Sequence, residues 1–178
     1  MKPGKPVDTI QEIEKIGHAP RWDFIGRLQS NKANYVVDLF DIIHSVDRLS
    51  LAKELNKLAA KQGKTMKILV QVNISGEEAK SGIGPEGVNA LVREIVNLPN
   101  LSVEGLMTMP PFFDDPENAR PYVIALRKLR DTLREEIREA TDLKELSMGM
   151  SADFEVAIEE GSTLVRVGTA IFGERTYT

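Results

Sequence analysis

The stretch LKELSMGMSADFEVAIEEGSTLVRVGT, residues 143–169, decides the fold. It opens and closes on apolar runs, 143–151 and 163–169, of the kind shown by strands covered on both faces. Between them SADFEVAIEEGS has the marks of a short helix, with Ser151 as its N-cap, acidic residues along its length and Gly161 as its stop. Two strands joined through a helix run parallel, and the crossover is right-handed.

The same unit recurs toward the N-terminus. Strands are predicted at 22–26 (WDFIG), 41–46 (DIIHSV), 66–75 (MKILVQVNIS) and 101–109 (LSVEGLMTM). Helices are predicted over 30–40, over 47–63 and from Pro85 to just before Pro99. In the second of these Leu49, Ala52, Leu55, Leu58 and Ala59 recur at helical spacing before Gly63. The longest, over 114–140, places Leu126, Leu129, Leu133 and Ile137 on one face, with Pro121 in its first turn or at a kink. Strand alternating with helix about six times implies an α/β domain built on a parallel sheet. A closed (β/α)₈ barrel needs about eight such units, so the chain reads as a TIM-type barrel two units short. With no internal repeat, low-complexity run or Gly/Ser linker, residues 1–178 read as a single domain.

Composition narrows the function classes. A chain of 178 residues, 42% hydrophobic and 28% charged, supports one core. The net charge of −4 and the lack of a lysine- or arginine-rich block argue against nucleic acid as a partner. With no cysteine there are no disulfides, thiolate metal sites or cysteine nucleophiles, which fits a reducing compartment; the cytoplasm is the expected location. No apolar run has the length of a membrane span, and MKPGKPVDTIQEIEKIG at the N-terminus lacks a signal peptide's apolar centre.

In such sheets ligands sit at the carboxyl ends of the strands. The informative residues therefore follow each apolar run, and two of these segments stand out. SMGMS (147–151) and RVGT (166–169) end neighbouring strands, so Ser147, Ser151, Gly168 and Thr169 can offer hydroxyls and backbone N–H groups to one anion. The plainer alternative, that Ser151 only caps a helix and Gly168 only turns the chain, stands beside it. Arg166 adds weight to the site: an arginine inside an apolar strand must meet a carboxylate, a ligand acceptor or solvent at an edge. Met107 and Met109 read as core and loop filler. His18 and His44 are too few and too isolated to suggest a metal site or the base of a nucleophile.

Taken in order, WDFIGRLQSNK, IIHSVDRLSLAKELN, ILVQVNISGEEAKSGI, GLMTMPP and LSMGMSADFEVAIEEGSTLVRVGTAIFGER resemble the pyridoxal 5′-phosphate homeostasis proteins, single-domain relatives of the alanine racemase N-terminal barrel. The resemblance runs from about Gln11 to Tyr177. It implies an α/β, modified TIM-type barrel that binds pyridoxal 5′-phosphate and serves intracellular vitamin B6 homeostasis, without catalysis of its own. Recipient apo-enzymes are the implied partners. By the same resemblance Arg166 faces the pyridine nitrogen, Gly168 and Thr169 hold the phosphate with Ser151, and Ser147, Met148 and Met150 form the wall. The family's V-S-K-T strand, with the cofactor lysine, and the following G-E-N strand have no match here, so the first two strand units are the ones expected to be missing. Lys2, Lys5, Lys32 and Lys80 are the conceivable substitutes. Asp23 stands where the family usually has histidine. A sheet short of two strands has unpaired edges, so self-association, or an early helix packed over the gap, is expected. Two alternatives remain beside this reading: a fold-type III amino-acid racemase or decarboxylase, and a phosphate-binding interaction domain without cofactor.

Overall fold

The computed structural model of the chain describes residues 17, 20–137 and 143–174. Its sheet has six strands: β1 (Asp23–Phe24), β2 (Ile42–Val46), β3 (Met66–Gln71), β4 (Leu101–Met107), β5 (Glu145–Met150) and β6 (Leu164–Arg166). All neighbours are parallel and the spatial order is the chain order, so each strand follows the last around the sheet. Among the described residues β1 and β6 each pair on one side only, which leaves the barrel open between them. The six strands expected from the apolar runs are all present.

Among the described residues there are six helices, the first five packed on the outer face: α1 (Ala33–Leu39), α2 (Leu49–Lys61), α3 (Pro85–Ile95), α4 (Arg120–Glu136), α5 (Phe154–Glu159) and α6 (Thr169–Phe172). All but the short, exposed α6 bury the stripe their spacing dictates. In α2, Leu51, Ala52, Leu55, Leu58 and Ala59 face inward; in α4, Val123, Leu126 and Leu133 do so, with Pro121 in the first turn, where its missing N–H costs nothing. These stripes meet Ile43, Ile68, Val70, Leu106 and Leu146 from the sheet in one continuous core. Arg120 ties α4 to α5 through ion pairs with Glu159 and Glu160.

The opposite face of the sheet, which lines the barrel, is thinner. Its apolar content is Ile42, Leu69 and Met107, with Leu164 packed against them. Strand alternation explains the division: Ile42 faces the interior while Ile43, one residue on, joins the helices. Gly105 permits β4 and β5 to pair, since a Cβ there would lie 1.9 Å from the Glu145 carbonyl oxygen.

Two expectations change. The helix expected from Ser151 begins three residues later, because the Asp153 carboxylate accepts the Met150 N–H at 2.6 Å and holds 151–153 as a turn. Gly168, for which a bare turn is the plainer alternative, leads into the short helix α6. Lys2, Lys5, His18 and the early helix expected to cover the gap lie outside the described residues.

Candidate functional site

Leu164, Arg166 and Gly168 alternate onto the interior side of β6, and Asp23 and Ile25 do the same beyond the open gap. Together with His44, Val165 and Val167 they line a cavity of about 340 Å³ at the carboxyl end of the sheet. That volume is in the range of small-molecule sites. A larger recess, about 540 Å³, opens at the amino ends of β1 to β3 beside Arg21, Asp41, Lys64 and Lys67. Its cations are already partly engaged: Arg21 pairs with Asp23, and the Lys64 ammonium donates to the Val37 carbonyl. Parallel sheets bind ligands at the other end.

Arg166 is the chemical centre of the smaller cavity. Its Nη1 donates to Ser147 Oγ at 2.7 Å and its Nη2 to the Thr108 carbonyl at 2.8 Å. Thr108 is fixed in turn by its hydroxyl, which donates to the Val72 carbonyl at 2.8 Å. Arg166 makes no salt bridge among the described residues. Desolvation pushes its guanidinium down to about 10, against a smaller opposing pull from Asp153. Three of the guanidinium's five N–H groups remain free for an acceptor.

Beyond Arg166, the Ser151 Oγ accepts the N–H of Gly168 at 3.0 Å and of Ala170 at 3.3 Å. A hydroxyl on β5's exit thus gathers the backbone donors that follow β6. Gly149, with φ of 93°, stands where the pairing of β5 with β6 shifts register between Ser147 and Met150, and carries the chain around to Ser151.

The residues named from the sequence separate into four groups. Arg166 and Ser147 are bonded in the interior, and Ser151, Gly168 and Thr169 lie together at the rim. Met150 faces a small neighbouring recess beside Pro111, Phe112 and Phe113. Met148 is fully buried in the helix-side core, as its alternation with Ser147 requires. Lys32 is exposed and Lys80 pairs with Glu77 at 3.0 Å; among the described residues no lysine lines the cavity.

Sequence reasoning passed over His44. It is 2% exposed, with Nδ1 3.0 Å from Ser147 Oγ and Nε2 3.2 Å from Asp23 Oδ2. Asp23 is also held by Arg21 through two bonds of 2.8 Å. Burial works to raise the Asp23 pKa, but the hydrogen bonds from His44 and Arg21 outweigh it and hold the carboxyl below its ordinary value. A histidine inside an otherwise apolar strand was the available signal, of the same kind as Arg166. No group of three or more metal-ligating side chains occurs among the described residues.

An open parallel barrel sheet with an arginine and a serine rim at its carboxyl end defines a TIM-type ligand-binding domain, and the family model for the N-terminal domain of alanine racemase matches residues 6–176. The chain belongs to the pyridoxal phosphate homeostasis branch of that family. It is 52% identical over 156 residues to the pyridoxal phosphate homeostasis protein of Aquifex aeolicus, covering 88% of this chain and 68% of that protein. The Vibrio cholerae protein of the same name is 42% identical, with coverages of 97% and 72%. Among solved structures, PipY of Synechococcus elongatus PCC7942 with PLP bound gives a TM-score of 0.85 at 32% identity, covering 94% of this chain and 76% of that one. Alanine racemase from Corynebacterium glutamicum gives 0.72 at 15% identity over 97% of this chain and 47% of that one, a likeness of fold alone.

Proposed function

We propose that this chain binds pyridoxal 5′-phosphate in the cavity beneath Arg166 and serves intracellular vitamin B6 cofactor homeostasis, holding and releasing the cofactor without catalysis of its own. The observation that carries the reading is Arg166. A guanidinium desolvated to this degree, with no carboxylate partner among the described residues and three free N–H groups, suits an acceptor atom supplied by a ligand. The relative solved with PLP, and the curated relatives named for its homeostasis, support that ligand.

The residues present fit the cofactor. Arg166 would face the ring nitrogen, while Ser151, whose Oγ gathers the N–H groups of Gly168 and Ala170, would meet the phosphate with Gly168 and Thr169 beside it. When bound, the cofactor supplies a reactive aldehyde and an electron-withdrawing ring. The protein's part is to bind and orient it. A cationic arginine at a ring nitrogen keeps that nitrogen unprotonated, which weakens the ring as an electron sink and suits storage over carbanion chemistry.

Among the described residues no lysine lines the cavity wall, so their contacts with the cofactor are non-covalent. No helix among the described residues is long and apolar enough to cross a membrane; we place the protein in the cytoplasm, delivering cofactor to apo-enzymes. Its one-sided outer strands β1 and β6 suit self-association through sheet edges.

The test is titration with pyridoxal 5′-phosphate, read by quenching of Trp22, the chain's one tryptophan and the neighbour of Asp23. Saturable binding that inorganic phosphate displaces poorly is expected. Equal competition by phosphate would reduce the site to an anion cup, and no saturation below millimolar cofactor would end the reading.

A further inference from the structure

Arg166 does not keep its place alone. Its Nη1 donates to Ser147 Oγ, which leaves the Ser147 hydroxyl one proton to give, and His44 Nδ1 at 3.0 Å is the acceptor in reach. That choice commits the imidazole. Nδ1 accepts, so Nε2 carries the proton and donates it to Asp23 Oδ2 at 3.2 Å. Arg21 steadies the carboxylate from the far side. In this one arrangement every member is matched. An imidazolium would aim a second donor at Ser147 Oγ, where Arg166 already donates, and would strand the serine proton.

The row also has a geometric consequence. His44 lies on β2 and Ser147 on β5, with β3 and β4 between them in sheet order, so their bond spans the barrel interior. In a closed barrel the ring of strand pairs enforces the curl. Among the described residues this sheet is open, and β2 is held facing β5 and β6 by the polar row and by Ile42, Leu69, Met107 and Leu164 beneath it.

We propose that His44 is a positioning residue of the ligand site. As the neutral Nε2–H tautomer braced by Asp23, it takes the Ser147 proton, makes Ser147 Oγ a pure acceptor for Arg166, and so sets where the guanidinium stands across the open barrel. Its effect on cofactor affinity rests on the function proposed above; its tautomer and its hold on Arg166 do not.

Two measurements test it. The first is a long-range ¹H–¹⁵N correlation spectrum of the imidazoles in the ligand-free chain, which has two histidines and is assigned with a His18→Gln variant. His44 protonated on Nε2 at neutral pH is expected; an Nδ1–H tautomer or an imidazolium overturns the proposal. The second is cofactor titration of His44→Leu, His44→Asn, Arg166→Met and the His44→Leu/Arg166→Met double variant. His44→Leu should bind on the order of 10-fold more weakly, the factor carried by one hydrogen bond to a charged group. His44→Asn, whose amide oxygen can replace Nδ1, should recover most of that loss. In the Arg166→Met background His44→Leu should change nothing further, because its effect passes through the arginine. Unchanged binding in His44→Leu, or full additivity with Arg166→Met, sinks the proposal. If His44→Leu does not fold, Ser147→Ala breaks the same link with little change of volume and enters the cycle in its place. A wild-type chain that ignores the cofactor refutes the proposed function, and the tautomer then decides this inference by itself.

Discussion

Replacing Arg166 with methionine should weaken cofactor binding severely while leaving the fold about as stable as before. At 1.36 kcal/mol per pH unit, lowering an arginine from its ordinary value to about 10 corresponds to roughly 3 kcal/mol against folding. Solvent at the open edge trims this to about 2 kcal/mol. The folded chain binds this proton more weakly than the unfolded chain does. The penalty is therefore fully present at neutral pH and is relieved only as pH rises through about 10. Methionine removes it and keeps most of the packing volume. Against that gain stand two lost hydrogen bonds, to Ser147 Oγ and the Thr108 carbonyl, at about 1 kcal/mol each. The sum is near zero. Thermal denaturation should place Tm within about 4 °C of the wild type, given roughly 2–4 °C per kcal/mol in a chain of this size. Titration monitored at Trp22 should show affinity reduced by about 100-fold, the upper range for a hydrogen bond to a charged group. A fall in Tm beyond about 8 °C would mean that Arg166 is chiefly a structural brace. Undiminished affinity would mean that it does not face the ligand.

Three further outcomes follow from the geometry. Gly105→Ala drives a Cβ into the Glu145 carbonyl, which being backbone cannot swing aside, so a loss of about 3 kcal/mol or more is expected by denaturant titration; a loss under 1 kcal/mol would mean β4 and β5 pair more loosely than described. Ser151→Ala removes the acceptor shared by Gly168 and Ala170, and should weaken pyridoxal 5′-phosphate about 10-fold while leaving pyridoxal, which lacks the phosphate, unchanged; equal losses for both ligands would contradict the rim's role. Because the folded Asp23 carboxyl sits below its ordinary value, its stabilising contribution is present above about pH 4 and is lost as pH falls below it. Stability of Asp23→Asn should therefore fall less steeply than wild type in acid, and parallel curves would place Asp23 outside the network.

The fold is largely legible in the sequence. Apolar runs at 41–46, 66–75, 101–109 and 143–151 have one sensible use between helical stripes, and each became a strand of the parallel sheet. Arg166 announced itself because an arginine in such a run is costly. His44 carries the same signal inside IIHSV, yet its partners lie 21 and 103 residues away, and nothing local named them. Ser151 was legible as a polar residue at a strand's end. Its role was not, because the choice between capping its own helix and gathering the donors after β6 depends on how Asp153 and Gly149 turn the chain.

Periodicity and composition follow from the order of residues alone: six strand-helix alternations, a parallel sheet, two units fewer than a closed barrel, and a polar carboxyl end. These are local properties, written in which residues follow which. Tertiary structure decided which polar groups share a proton. The curl of an open sheet brings β2 across to β5, and strand alternation turns Ser147 inward while sending Met148 to the core. Hydrogen bonding acts over about 3 Å in space with no regard to distance along the chain, so the row from Asp23 through His44 and Ser147 to Arg166 exists only once the sheet has curved.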